Sequence, residues 1–186
     1  MMQFRKIGHN VNIYPLAKIL NPEVISIGNN VIIDDFVFIM GGKGTTIGNH
    51  VHIASFCSIT GGGEFTMEDF SGVSSGCRIF TGSDDFSGSS LTNPTIPPEF
   101  RNVTRSYVMI RKHAVLGTNV IVHPGVTIGE GAAIGSNSLV LKDVEPWTIN
   151  IGSPARVLRK RPKDRMIEME AKLRSLEKDE YGKVRE

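Results

Sequence analysis

Between Val108 and Val140 one hydrophobic residue returns at every sixth position: Ile110, Leu116, Val122, Ile128, Ile134 and Val140. An α-helix repeats its faces every ~3.6 residues and a strand every two, so neither keeps this period. A second register two residues earlier holds Val108, Ala114, Val120, Val126, Ala132 and Ser138, small or β-branched throughout. Each pair reads as a short strand turning two side chains to one side, because strand side chains alternate. Gly117, Gly129 and Gly135 follow three of the periodic residues, and Gly125 precedes another strand. They supply the backbone freedom for a corner after each strand. Strand and corner at period six predict a three-faced prism with eighteen residues per coil. The expected fold is all-β: a parallel β-helix whose coils bury their inward faces only by stacking.

These residues, with Ile151-Gly-Ser-Pro-Ala-Arg-Val-Leu-Arg159 after them, resemble the hexapeptide-repeat acyltransferases. The resemblance runs from about Val11 to Arg159. It implies a left-handed β-helix, coenzyme A or acetyl-coenzyme A as acyl donor, and a homotrimer with sites between neighbouring prisms. The hand comes from the resemblance, since period does not fix it.

Earlier in the chain the rhythm is interrupted. Ile13 and Ile19 keep the spacing before Ile27 slips by two, as expected of a capping coil. The period then holds at Ile33 and Ile39, breaks at Gly41-Gly-Lys-Gly44, resumes at Ile47, Ile53 and Ile59, and breaks again at Gly61-Gly-Gly63. Met67, Val73 and Ile79 restore it, so one inner face is expected from Ile27 to Ile79. The next periodic residue is Ile110, and residues 80–107 form a polar, proline-bearing insertion. An insertion of this length inside a compact repeat is expected to work as a loop over the active site. The β-helix with its loop takes residues 1–160. Residues 161–186 change to helical spacing, with Met166, Met169, Leu173 and Leu176 as a narrow apolar stripe and Pro162 at the start. That stripe is expected to pack on the β-helix, and the last residues to fray.

A chain of 186 residues suits one domain, and twenty Gly against one Trp suits repeated corners. A formal charge of +2 argues against bulk attraction to nucleic acid or a membrane surface. No apolar run is long enough to span a bilayer, and no hydrophobic segment follows Met1-Met-Gln-Phe-Arg-Lys6, so a soluble cytoplasmic protein is expected. Cys57 and Cys77 fall in the small inward register and read as buried thiols.

Acyl transfer from a thioester needs a slot for the donor, an acceptor held in line, management of its proton and a donor for the oxyanion. Thr118 and Ser136 are eighteen apart, so they should stack as a small-residue row for a pantetheine arm, with Lys142 continuing it. Arg156, Arg159, Lys160, Arg161, Lys163 and Arg165 then crowd together, as phosphate binding would use. Thr118, Ser136, Lys142, Arg156 and Arg159 match coenzyme A contacts in the galactoside and related sugar acetyltransferases that this segment resembles.

The chain departs from that family where a histidine usually follows Thr-Gly at the loop start: here Thr81-Gly82 leads to Ser83-Asp84-Asp85. Adjacent carboxylates can position an amine acceptor, which attacks a thioester without a strong base. They can equally cap a turn. Ser74 and Ser75 are candidate donors to the acceptor, and His113, in the coil after the loop, is the candidate replacement imidazole. His123, before Pro124-Gly125, suits a turn. His50 and His52 are expected outward on one strand. The carbonic anhydrases that share this β-helix use a pair of histidines separated by four residues, which is absent here, and no metal is expected. The expected activity is coenzyme A-dependent acylation, by direct attack, of the amino group of a nucleotide-linked amino sugar destined for surface polysaccharide. The rivals are sugar O-acetylation through His113 and a non-catalytic scaffold subunit.

Overall fold

The computed structural model describes residues 3–183, with side chains described through residue 177. The fraying expected of the last residues falls on residues 184–186, outside those described. Among the described residues the chain winds repeatedly through three sheets, faces A, B and C. Face A runs from Lys6–Ile7 to Val126–Ile128, face B from Val11–Ile13 to Arg156–Lys160, and face C from Lys18–Leu20 to Leu139–Val140. Neighbouring coils pair in parallel. The terminal hairpin of Thr148–Ile151 with Arg156–Lys160 is antiparallel.

The six-residue rhythm becomes three inward columns. Ile27, Ile47, Met67, Ile110 and Ile128 stack on face A. Ile33, Ile53, Val73, Leu116 and Ile134 stack on face B. Ile39, Ile59, Ile79, Val122 and Val140 stack on face C. All of these are at most 3% exposed, and burying each stabilises the coil by about 1.5–3 kcal/mol. Cys57 and Cys77 are buried free thiols in the same core.

Coil length differs between the two halves. Below the loop, partners lie twenty residues apart, as Ile27 with Ile47 and Ile47 with Met67; above it, Ile110 and Ile128 keep the expected eighteen. The two extra residues sit at the corner from face C to face A, as the turn Pro22–Val24 and then Gly41–Lys43 and Gly61–Gly63. Gly42 has φ 60°, and a Cβ there would lie 2.3 Å from the Gly63 carbonyl oxygen. Only glycine satisfies both conditions. The first coil is therefore no irregular cap, since Ile7 pairs with Ile27 in the same twenty-residue series. The stack continues past Val140: Val144 bridges to Ile128, and Thr148–Ile151 adds a rung to face B.

The insertion leaves after Phe80 and returns at Tyr107, at the corner from face C to face A. It is built on a stem of Gly82–Ser83 against Thr104–Arg105, with a bridge between Leu91 and Arg101.

The helix Asp164–Lys183, α1, lies along the corner from face A to face B. Glu170 meets Lys112 at 2.8 Å and His113 at 2.7 Å, Arg174 meets Asp69 at 3.2 Å, and Glu177 meets His50 at 2.8 Å. Steps of three or four residues at ~1.5 Å each match a coil spacing of ~4.8 Å. The expected apolar stripe is not the docking face: Met169, Leu173 and Leu176 are 46%, 38% and 64% exposed. The corner presents rings and a carboxylate, so charged residues of the helix dock there. No helix of the described residues is long and apolar enough to cross a membrane.

Candidate active site

Thr118 and Ser136 stand one above the other at the corner from face B to face C, where the Asn137 amide donates to the Thr118 carbonyl at 2.9 Å. Ser75 belongs to the same row one coil below, since Val73 pairs with Leu116 and the Asn119 amide donates to the Ser75 carbonyl at 3.0 Å. All three are exposed. The intervening loop hides this row from a count of eighteen.

The turn Gly152–Ala155 crosses the top of the row. Leu139 N–H donates to the Gly152 carbonyl at 3.0 Å, and Gly152 N–H donates to Ser138 Oγ at 3.0 Å. Arg156 and Arg159 follow on the exposed hairpin strand, opposite Ile151 and Ile149. Lys142 does not continue the row. Six residues advance the chain by one face rather than one coil, so Lys142 occupies the next corner, above Pro124. It still meets Arg156 across a cavity of about 110 Å³ shared with Asn150 and Pro154. Two of the other basic residues are engaged elsewhere: Arg161 donates to the carbonyls of His113 and Gly131 at 3.1 and 2.9 Å, and Arg165 pairs with Glu168 at 2.9 Å.

The two carboxylates at the loop start differ. Asp85 accepts from Ser87 N–H at 2.8 Å and Oγ at 2.6 Å, from Ser89 Oγ at 2.7 Å and from Ser90 Oγ at 3.2 Å. The Ser87 and Ser89 hydroxyls hold it well below the usual carboxylate range. Asp85 thus organises a serine turn. Half-buried Asp84 has no side-chain hydrogen bond among the described residues. Phe86, beside them, is 93% exposed.

His113 lies at a different corner and is 6% exposed. Its Nε2 is 2.7 Å from Glu170 Oε2, and its ring stacks 5.3 Å from Phe70 and sits 6.1 Å from Trp147. It holds the helix rather than facing the loop. Burial opposes the charge of Glu170, and hydrogen bonds from Lys112, Arg174 and His113 overcome this to place it at about 2. His50 and His52 also part ways. His52 meets Asp34 at 3.1 Å on face B, whereas His50 occupies the corner with Glu177. His123 lies edge-on to Phe80, 6.3 Å away, one coil above the loop's departure.

Ser75, Thr118 and Ser136 therefore border face C on one edge, and Asp84 on the other. A single chain keeps them a face apart.

A family model, the bacterial transferase hexapeptide of six repeats, matches residues 103–142. A structure of AntD, an N-acyltransferase from Bacillus cereus, in complex with dTDP and 3-hydroxybutyryl-CoA is 41% identical, with TM-score 0.88, covering 94% of this chain and 92% of that one. The chain belongs to the hexapeptide-repeat transferases. Its prism is the left-handed β-helix of that family. A variant of AntD with dTDP-4-amino-4,6-dideoxyglucose and coenzyme A bound is 40% identical, with TM-score 0.88, covering 92% of this chain and 91% of that one. The dTDP-4-amino-4,6-dideoxy-D-glucose acyltransferase of Escherichia coli is 41% identical over 93 residues, 50% of this chain. That match spans 48% of the curated relative's length. AntD has been studied through variants of a serine and of an aspartate ten positions further along.

Proposed function

We propose that the protein is a cytoplasmic, coenzyme A-dependent acyltransferase that acylates the amino group of a nucleotide-linked amino sugar, with acetyl-coenzyme A as donor, in the making of surface polysaccharide. The observation that carries this reading is the unpaired Asp84 carboxylate, ten residues after Ser74, the same serine-to-aspartate spacing as the AntD variants. Ser75 and Asp85 share that spacing, but Asp85 is committed to its serine turn.

In the reaction, the neutral amine attacks the thioester carbonyl carbon. A C–N bond forms, the C–S bond breaks, and the leaving thiolate takes up the proton the nitrogen sheds. Asp84 accepts a hydrogen bond from the amine and aims its lone pair, Ser74 or Ser75 donates to the acceptor, and a backbone amide stabilises the oxyanion. No covalent intermediate is needed. Cys77 is held above the ordinary thiol range by its hydrogen bond with Cys57 and by burial, and neither thiol is exposed. Thr118 and Ser136 line the pantetheine arm, with Arg156, Arg159 and Lys142 on the phosphates.

The site is completed by copies of the chain. The outward surface of face C carries Phe38, Ser58, Arg78, Ile121 and Leu139 in one column and Leu20, Met40, Thr60 and Phe80 in another. Three prisms packed through this face bring the donor row of one against the Asp84 loop and Phe86 of the next. Calorimetry with coenzyme A, and thiol release from acetyl-coenzyme A with dTDP-4-amino-4,6-dideoxyglucose, test the reading. Binding in the micromolar range and turnover are expected. Absence of coenzyme A binding leaves the scaffold reading.

A further inference from the structure

At the corner from face B to face C each coil turns one small side chain into the core: Ala17, Val37, Cys57, Cys77, Val120 and Ser138 stack there, all buried. The reaction as derived uses neither thiol, yet both have partners. Cys57 Sγ donates to the Ser74 carbonyl of the coil above at 3.1 Å, and Cys77 Sγ donates to the Gly117 carbonyl of the coil above it at 3.2 Å. Val37 and Val120, at the same depth, have no donor to offer the matching carbonyls of Ala54 and Gly135.

The other side of these two peptides faces out of the prism. A trans peptide is planar, with its C=O and N–H pointing in opposite directions. A carbonyl held by a buried thiol points inward, so the N–H groups of Ser75 and Thr118, in the same two peptides, point outward. Ser75 and Thr118 are exposed, and neither N–H has an acceptor among the described residues. Among those residues no backbone N–H donates to the Ser74 or Gly117 carbonyl either, so the thiols are the groups that fix both planes.

The two rungs serve different substrates. Ser74 and Ser75 meet the acceptor in the reaction given above, whereas Thr118 lines the pantetheine arm. An N–H aimed out of the prism stabilises developing charge only as far as its plane is held before the reaction begins. With both thiols neutral, each single S–H goes to one carbonyl. A thiol is a weak donor, small enough to pack where the other coils place alanine or valine.

We propose that Cys57 and Cys77 are positioning residues that act from inside the prism. Cys57 fixes the Ser74–Ser75 peptide on the acceptor side of the site, and Cys77 fixes the Gly117–Thr118 peptide on the coenzyme A side. This rests on the reading of the protein as an amino-sugar acyltransferase, and it gives each thiol an effect on a different substrate.

Cys57→Val and Cys77→Val remove the donor and install the residue that fills this position at Val37 and Val120, whereas Cys57→Ser and Cys77→Ser keep a donor. Alanine variants, matching Ala17, give the same readout where valine does not fit. Kinetics with dTDP-4-amino-4,6-dideoxyglucose and acetyl-coenzyme A, beside coenzyme A calorimetry, separate the two thiols. Cys57→Val should lower kcat/KM for the sugar by about three- to tenfold, the worth of one modest hydrogen bond, with coenzyme A affinity unchanged. Cys77→Val should weaken coenzyme A binding by a similar factor, with the sugar's KM unchanged. The serine variants should recover most of each loss. Because the chain has two cysteines, the infrared S–H stretch of the unmodified protein reads the bonds directly, and both bands should lie below that of an unbonded thiol. Bands at the unbonded position overturn the proposal whether or not any variant folds. Valine variants that move neither substrate, or both alike, also overturn it, and serine variants as impaired as the valine ones assign the effect to packing instead. In each of these cases the transferase reading stands. Failure of the unmodified protein to bind coenzyme A overturns that reading, and the positioning role with it, even where the infrared bands show the thiol bonds intact.

Discussion

Asp84 and Asp85 are neighbours in sequence with different partners. The four serine-turn hydrogen bonds of Asp85 are spent within the loop, whereas the Asp84 side chain makes none among the described residues. Asp84→Asn should therefore lower kcat by about 100-fold or more while leaving coenzyme A binding unchanged, a magnitude typical of losing the alignment of a reacting group. Asp85→Asn should act more weakly on kcat and instead increase the loop's susceptibility to proteolysis. Single-turnover measurements beside a limited digest separate the two. The Asp-Phe-Ser-Gly-Ser-Ser run already offered the turn reading, because Asp bonds its own backbone two residues on. Nothing in the run marked Asp84 as the one left free. His113 was misleading for another reason. A six-residue period records where a residue sits within a face and corner, but not which of three corners it occupies. The 80–107 insertion then breaks any count of faces.

The charged helix α1 is the element whose sequence was read least well. Its apolar spacing at Met166, Met169, Leu173 and Leu176 is genuine, yet Glu170, Arg174 and Glu177 make the contacts. Spacing reveals a stripe but not the chemistry of the surface that receives it. The low value for Glu170, about 2 against an ordinary 4.5, means that its contribution is complete above pH 4.5 and is lost as pH falls toward 2. The single Trp, Trp147, touches the His113 ring that Glu170 holds, and reports on this directly. Its fluorescence should change between pH 4.5 and 2, and Glu170→Gln should show the displaced signal already at neutral pH. Loss of one charge-assisted hydrogen bond of this kind costs roughly 1.5–3 kcal/mol.

Across the whole molecule, each coil touches only the coils above and below it, so damage depends on position in the stack. Ile79→Ala, in the middle with neighbours Ile59 and Val122, should lower stability by about 2–5 kcal/mol. Ile19→Ala, at 8% exposure in the first coil, should cost clearly less, and guanidinium unfolding of both variants checks the order. This rhythm was the most legible part of the chain, because every inward position must be apolar and a miss anywhere opens the core. The twenty-residue lower coils looked like breaks because two residues bulging at one corner leave all three columns aligned. Those coils are interchangeable segments, all of one length, and removing one would splice Ile27 onto the partner of Ile47 without disturbing any face. Only α1 would register the exchange: Asn30, already 3.4 Å from Glu177, would rise to the height that His50 now holds, and the ion pair there would give way to an amide contact.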